Sequence, residues 1–196
     1  MKTITRILLA ASLVMGASQA LAQTQNAPPK PDVTKQYGDW MVRCYPVSSP
    51  SPCDMFELLA QKKTGNRVMS VSFAYAPKVQ RYVVQIAVPL GVALKTGLTI
   101  KAADYTSPAL QFRRCDRGGC YVEGVTDSAI VNALSQQNGQ AKAMIAASDD
   151  RKLDVAFSLK GFGEARNAMV ELAKQRATEA PPPAHEAPAQ NTLSPE

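Results

Sequence analysis

Four cysteines stand in two close pairs in this chain of 196 residues. Cys44 and Cys53 are nine positions apart, and Cys115 and Cys120 are five apart, around Asp116-Arg117-Gly118-Gly119. Four cysteines allow three connectivities. Pairing neighbours closes short loops, each contributing about 2–3 kcal/mol in the chain-entropy model, whereas a long Cys44–Cys115 crosslink would contribute about 4 kcal/mol. Energy alone therefore does not choose. Local sequence does: Pro46, Pro50 and Pro52 bend the chain between the first two cysteines, and Gly118-Gly119 permits a tight turn between the second two. Redox chemistry asks for two residues between the thiols at a helix start. A four-thiolate zinc site asks for about two to four within each pair, and the first pair has eight between. The cysteines read as structural staples, Cys44–Cys53 and Cys115–Cys120.

Other chemistry is sparse. The one histidine, His185, sits among Pro and Ala near the end of the chain, where no fold would hold an imidazole in fixed geometry. Ser-His-Asp and Cys-His constellations and histidine metal sites are thereby excluded from the folded part. Gly161-Phe162-Gly163 lacks the third glycine or the lysine of a phosphate loop. No cofactor is expected. Asp39, Asp54 and Glu57, near the first cysteine pair, are the carboxylates that a glycosidase-like acid/base mechanism would use, but nothing in their spacing selects them. Asp149-Asp150 reads as a solvated turn beside Arg151 and Lys152. Arg113, Arg114 and Arg117 surround the second cysteine pair and could grip a carboxylate, phosphate or sulfate. The plainer reading of these three is an ordinary edge, paired to Asp116 or Glu123. Val88 to Leu94 is unusually apolar for a segment broken by Pro89 and Gly91; an exposed contact loop is one reading, and a buried inter-strand connection is the preferred one.

These groups belong to an exported chain. Lys2 and Arg6, the apolar run Ile7 to Ala17, and Ala20-Leu21-Ala22 form the three parts of a secretory signal, with cleavage between Ala22 and Gln23. The apolar run is too short to span a bilayer. Losing Lys2 and Arg6 leaves 20 Lys and Arg against 16 Asp and Glu, a mildly basic balance. The cations are scattered among acids along the chain, so no nucleic-acid footprint is expected; a bias toward anionic partners such as lipid headgroups or surface polysaccharide is what the charge allows. Residues 23–36, with Pro28, Pro29 and Pro31, read as a flexible lead-in. Residues 37–177 form one domain. Residues 178–196 form a Pro/Ala-rich disordered tail.

Within the domain, apolar residues alternate. Leu153, Val155, Phe157 and Leu159 share one face, as do Met69, Val71, Phe73 and Tyr75, then Tyr82, Val84, Ile86 and Val88, and also Trp40, Val42 and Cys44. Weaker strands are predicted at 55–61, 98–102, 110–114, 120–125 and 141–147. Two helices interrupt the pattern, at 128–138, capped by Thr126 or Asp127, and at 163–176. The fold class expected is all-β: a single antiparallel β-sandwich with two short helices, one of them C-terminal.

The order of landmarks resembles the invasion-associated locus B family of Gram-negative envelope proteins. The matching residues are Tyr37-Gly38-Asp39-Trp40 with Arg43-Cys44, then Cys53, then Val88-Pro89-Leu90-Gly91-Val92. Phe112-Arg113, Cys115, Gly119-Cys120 and Phe157-Ser158-Leu159-Lys160-Gly161-Phe162 complete the series. The resemblance implies an exported immunoglobulin-like sandwich in the periplasm, outer-membrane-associated or secreted, connected with bacterial entry into host cells. It supplies no catalytic residues. The function expected is non-enzymatic binding of an envelope or host-surface component, peripheral association with a membrane included. The alternatives are a structural or stress protein of the envelope and a carboxylate hydrolase. Oligomeric state is not legible. Peptide mapping without reduction tests the staples directly: linked peptides should join Cys44 to Cys53 and Cys115 to Cys120, and free thiols or a Cys44–Cys115 link would overturn the pairing.

Overall fold

Alternating apolar residues become strands in the computed structural model, which describes residues 29–46 and 48–178. The signal segment with its Ala22–Gln23 cut, the lead-in up to residue 28, and the tail from residue 179 with His185 lie outside the described residues. The elements are β1 (Val33–Tyr37), β2 (Trp40–Cys44), β3 (Cys53–Ala60), β4 (Arg67–Ala76), β5 (Arg81–Val88), β6 (Leu98–Ala102), β7 (Tyr105–Thr106), β8 (Phe112–Asp116) and β9 (Gly119–Thr126). Helix α1 (Ser128–Ser135), β10 (Gln140–Ala146), β11 (Lys152–Ser158) and α2 (Phe162–Thr178) follow. All pairings are antiparallel. Seven strands form one sheet in the order β1-β2-β3-β4-β5-β9-β8, and four form the other, β11-β10-β6-β7.

The period-two pattern determines which side chains meet between the layers. Trp40 and Val42 of β2, Met55 of β3, Val71 and Phe73 of β4, and Ile86 of β5 are fully buried in one core with Ile100, Ala143 and Phe157 of the smaller sheet. Helix α2 packs on β1 to β4 and on α1. Its stripe Phe162, Ala165, Met169 and Ala173 is buried, so α2 and the smaller sheet share the inner face of the larger one. Helix α1 is capped as expected by Asp127, whose carboxylate accepts from the Ala129 N–H at 2.9 Å, and buries Ile130, Val131 and Leu134.

Four boundaries move. The first strand, β1, lies inside the segment expected to be a flexible lead-in, which places the start of the domain at Val33. Its sequence Val-Thr-Lys-Gln-Tyr carries little apolar content because an edge strand needs none: it is held by backbone pairing to β2, from Val33 opposite Cys44 to Tyr37 opposite Trp40, while only Val33 and Tyr37 touch the core. Helix α1 stops at Ser135, short of residue 138. Helix α2 runs to Thr178, longer than the short helix expected, and its Arg176 guanidinium meets Asp32 at 2.7 Å, tying the end of the domain to its beginning. The strand expected at 110–114 begins at Phe112, Leu110 instead bridging Leu98.

The layers are locked where two turns press together. Gly38 lies between β1 and β2, and Gly161 between β11 and α2. Both have positive φ, 55° and 81°, and the Asp39 N–H donates to the Lys160 carbonyl at 3.1 Å. A Cβ on Gly38 would collide with the Lys160 carbonyl, and one on Gly161 with the Tyr37 carbonyl. Trp40 follows at once. Its indole N–H donates to the Ser158 carbonyl at 2.9 Å, and its ring stacks edge-on against Phe162 with centroids 4.9 Å apart. A Gly161→Ala substitution should cost about 2–4 kcal/mol, from left-handed backbone and overpacking together. Gly139→Ala, where an added Cβ meets nothing within 4 Å, should cost under about 1 kcal/mol. Urea midpoints of the oxidised proteins measure the difference; equal midpoints would show that the turns do not depend on bare backbone.

Candidate binding surface

Both cysteine pairs are directly opposed across strands, Cys44 to Cys53 on β2–β3 and Cys115 to Cys120 on β8–β9, and both are disulfide-bonded. Their surroundings differ. Cys44 and Cys53 are fully buried. Cys120 is buried but Cys115 lies on the exposed edge strand, so the second bridge braces the hairpin that closes one edge of the larger sheet.

The three carboxylates singled out from sequence do not converge. Along β3 the side chains alternate, burying Cys53, Met55 and Glu57 and turning Asp54 outward. Asp54 pairs with the Arg43 guanidinium and accepts from the Ser72 hydroxyl at 3.1 Å, while Arg43 covers the Phe56 ring at 4.2 Å. Glu57 points into the core, where its Oε1 accepts from the Ser158 N–H at 3.1 Å and its buried Oε2 has no partner. Asp39 meets the same serine from outside, its Oδ2 accepting from the Ser158 hydroxyl at 2.6 Å. Ser158 thus joins Asp39 and Glu57, while Asp54 lies on the opposite face of β3 from Glu57 and bonds to Arg43 and Ser72 instead. Among the described residues, no three His, Cys, Asp or Glu side chains gather as metal ligands would.

The arginines divide as well. Arg114 donates to Glu123 at 2.9 and 3.2 Å, pairs with Asp116, and stacks over the Tyr121 ring at 3.8 Å. The Asp116 carboxyl is held below the usual carboxylate range, first by the Gly118 N–H donating at 2.7 Å and then by Arg114. The Arg114 hydrogen bond likewise lowers the Glu123 carboxyl. That is the paired edge of the plainer sequence reading. Arg113 and Arg117 are exposed and take part in no ion pair among the described residues.

Tertiary structure adds a surface that linear reading misses. The β3–β4 turn carries Lys62 and Lys63. Arg67, opening β4, donates to the Gly118 carbonyl of the β8–β9 turn, and Gly119, opening β9, lies against the Val88 carbonyl at the end of β5. Beyond β5, Val92 bridges Ala147, the Ala93 N–H donates to the Ala146 carbonyl and the Ser148 N–H to the Gly91 carbonyl, both at 2.8 Å. The β10–β11 turn with Arg151 and Lys152 is thereby drawn to the same end. Lys62, Lys63, Arg67, Lys95, Arg114, Arg117, Arg151 and Lys152 stand there against Asp116, Glu123, Asp149 and Asp150. Each segment contributes one to three cations, so no charge run marks the patch. At the same end the segment from Pro89 to Leu94 corrects the preferred sequence reading. Val88 and Val92 pack inward, but Leu90 is 59% exposed and Leu94 49% exposed, because the chain must leave the top of β5 and cross to the other sheet over the end of the core.

The Glu57 carboxyl sets a pH dependence. Burial raises it from 4.5 to about 7, with the negative Asp39 adding to the rise and the Ser158 N–H opposing it. An acid whose folded value lies above its unfolded one favours folding while protonated. The folded state should therefore lose stability as pH rises from about 4.5 through about 7, by about 2 kcal/mol after allowance for relaxation. Glu57→Gln should be neutral near pH 4.5 and stabilising by about that amount at pH 8, measured as urea midpoints across pH. A variant that follows the parent at every pH would show that Glu57 is not the group responsible.

Comparison with known proteins agrees with this architecture. The family model for invasion associated locus B protein matches residues 40–170. Two Invasion protein B homologs of Brucella abortus strains are each 29% identical over 140 residues, covering 70% of this chain and 79% of theirs. The crystal structure of invasion associated protein B from Bartonella henselae superposes with a TM-score of 0.63 at 21% identity, over 72% of this chain and 99% of that one. That likeness concerns the fold alone. From the Trp40 landmark to the middle of α2, the chain belongs to the invasion associated locus B family.

Proposed function

We propose that this chain is an exported, disulfide-stapled binding protein of the bacterial envelope, without enzymatic activity, that engages an anionic component of the envelope or of a host-cell surface. The basic end of the sandwich carries this reading: four segments far apart in sequence converge to place eight cations against four carboxylates. Clustered charge of one sign raises the local concentration of opposite charge and speeds association. A sandwich held by two bridges offers a rigid platform for it, as an exported domain requires where chaperones and reducing systems of the cytosol are absent. The carboxylates, by contrast, serve the fold: Asp54 neutralises Arg43, and Glu57 with Asp39 fastens β11 through Ser158. The names of the Brucella and Bartonella relatives connect them with invasion, and we extend that process to this chain as part of the proposal.

Titration of the oxidised chain from Gln23 onward against envelope fractions should give saturable retention that weakens steeply between about 0.05 and 0.3 M salt, as screening shortens the reach of the patch. Reversing Lys62 and Arg117 to Glu together should lower retention at least about ten-fold. Reversing Lys35 on β1 and Lys78 in the β4–β5 turn, both remote from that end, should leave it unchanged. Retention indifferent to salt, or reduced equally by both pairs, would remove the basic end from the function.

A further inference from the structure

We infer that the basic end docks on the surface of an anionic lipid leaflet, with Leu90 and Leu94 entering the interface. This rests on the reading above that the basic end meets an anionic component, and it names which one. Two observations select lipid. First, the leucines are exposed without being loose. Their segment is pinned by the Ala93–Ala146 and Gly91–Ser148 backbone hydrogen bonds and by the Thr96 hydroxyl donating to the Ala93 carbonyl at 2.9 Å. A pinned apolar tip at the end where the cation-bearing turns gather matches a leaflet, in which apolar chains lie directly beneath negative headgroups. Second, the available cations are mostly lysines. Lys62, Lys63, Lys95 and Lys152 are exposed and form no ion pair among the described residues, whereas the Arg114 fork is already occupied by Glu123 and Asp116. Point charges on flexible stems suit diffuse headgroup attraction, and forks suit the bidentate capture of one particular group. Among the described residues no helix is long and apolar enough to cross a membrane, so nothing in this docking face asks for more than the interfacial layer.

Vesicle sedimentation tests the inference. The oxidised chain from Gln23 onward should bind vesicles of phosphatidylglycerol mixed with phosphatidylethanolamine and not vesicles of phosphatidylcholine. Leu90→Ala with Leu94→Ala, both exposed and so harmless to the core, should raise the half-saturating lipid concentration about ten-fold or more. Each of Lys62→Gln, Lys63→Gln, Lys95→Gln and Lys152→Gln should raise it about five-fold at low salt. The chain has one tryptophan, the buried Trp40, so a Leu90→Trp variant adds a reporter whose emission should shift to the blue and be quenched by brominated acyl chains. Leucine variants that bind as well as the parent, or a Trp at position 90 that stays solvent-like on saturated vesicles, would overturn the lipid assignment. A parallel titration with soluble polyphosphate separates the two readings. Salt-sensitive polyphosphate binding without vesicle binding would leave an anion-binding end and refute lipid docking; loss of both would refute the function proposed above as well.

Discussion

Trp40 holds this fold together. It sits one residue beyond the β1–β2 turn, fully buried, with Phe73, Phe157 and Phe162 around it at centroid distances of 4.9 to 6.5 Å. Those three rings come from the larger sheet, the smaller sheet and α2. One side chain therefore touches all three layers, and its indole N–H bonds to the Ser158 carbonyl where β11 ends. Aromatic rings meeting edge to face gain beyond the area they bury. A satisfied indole removes the penalty that a buried donor would otherwise impose. The glycines of the two facing turns let the backbones come close enough for that bond to form.

The same junction explains the unusual state of Glu57. Its position on β3 is dictated by the alternation that also buries Cys53 and Met55, so the strand delivers a carboxyl to the inside of the sheet. There it finds a single donor, the Ser158 N–H, and leaves Oε2 unpartnered. A carboxyl in that setting favours its neutral form. Asp39, on the exterior of the same serine, keeps contact with water and fastens the hydroxyl. The two acids read from sequence as possible catalytic partners thus act as an inner and an outer fastening for one strand end.

The external chemistry arises from topology. An antiparallel sheet sends alternate turns to one end, and here the β3–β4 and β8–β9 turns, the exit of β5 and the β10–β11 turn arrive together. Arg67 seals two of them by donating to the Gly118 carbonyl. The chain must then cross between the sheets at this end, which leaves Leu90 and Leu94 on the outside, at the same end as those turns.

What the amino-acid order determined by itself was local. Alternation placed nearly every long strand, the Asp127 cap placed α1, and the intervals of nine and five residues, with prolines and glycines between, singled out the disulfide partners. Each of these depends on neighbours within a few residues. The edge strand β1 escaped because backbone pairing to β2 holds it, and pairing leaves no apolar signature. The separation of Asp54 from Glu57 was implicit in the same period of two. That Asp39 and Glu57 meet at Ser158, about a hundred positions away in sequence for Glu57, was not. Only the tertiary structure decided that contact and the basic end, because both are assembled by strand pairing between distant segments. A cation in a turn carries no mark of which other turns will stand beside it.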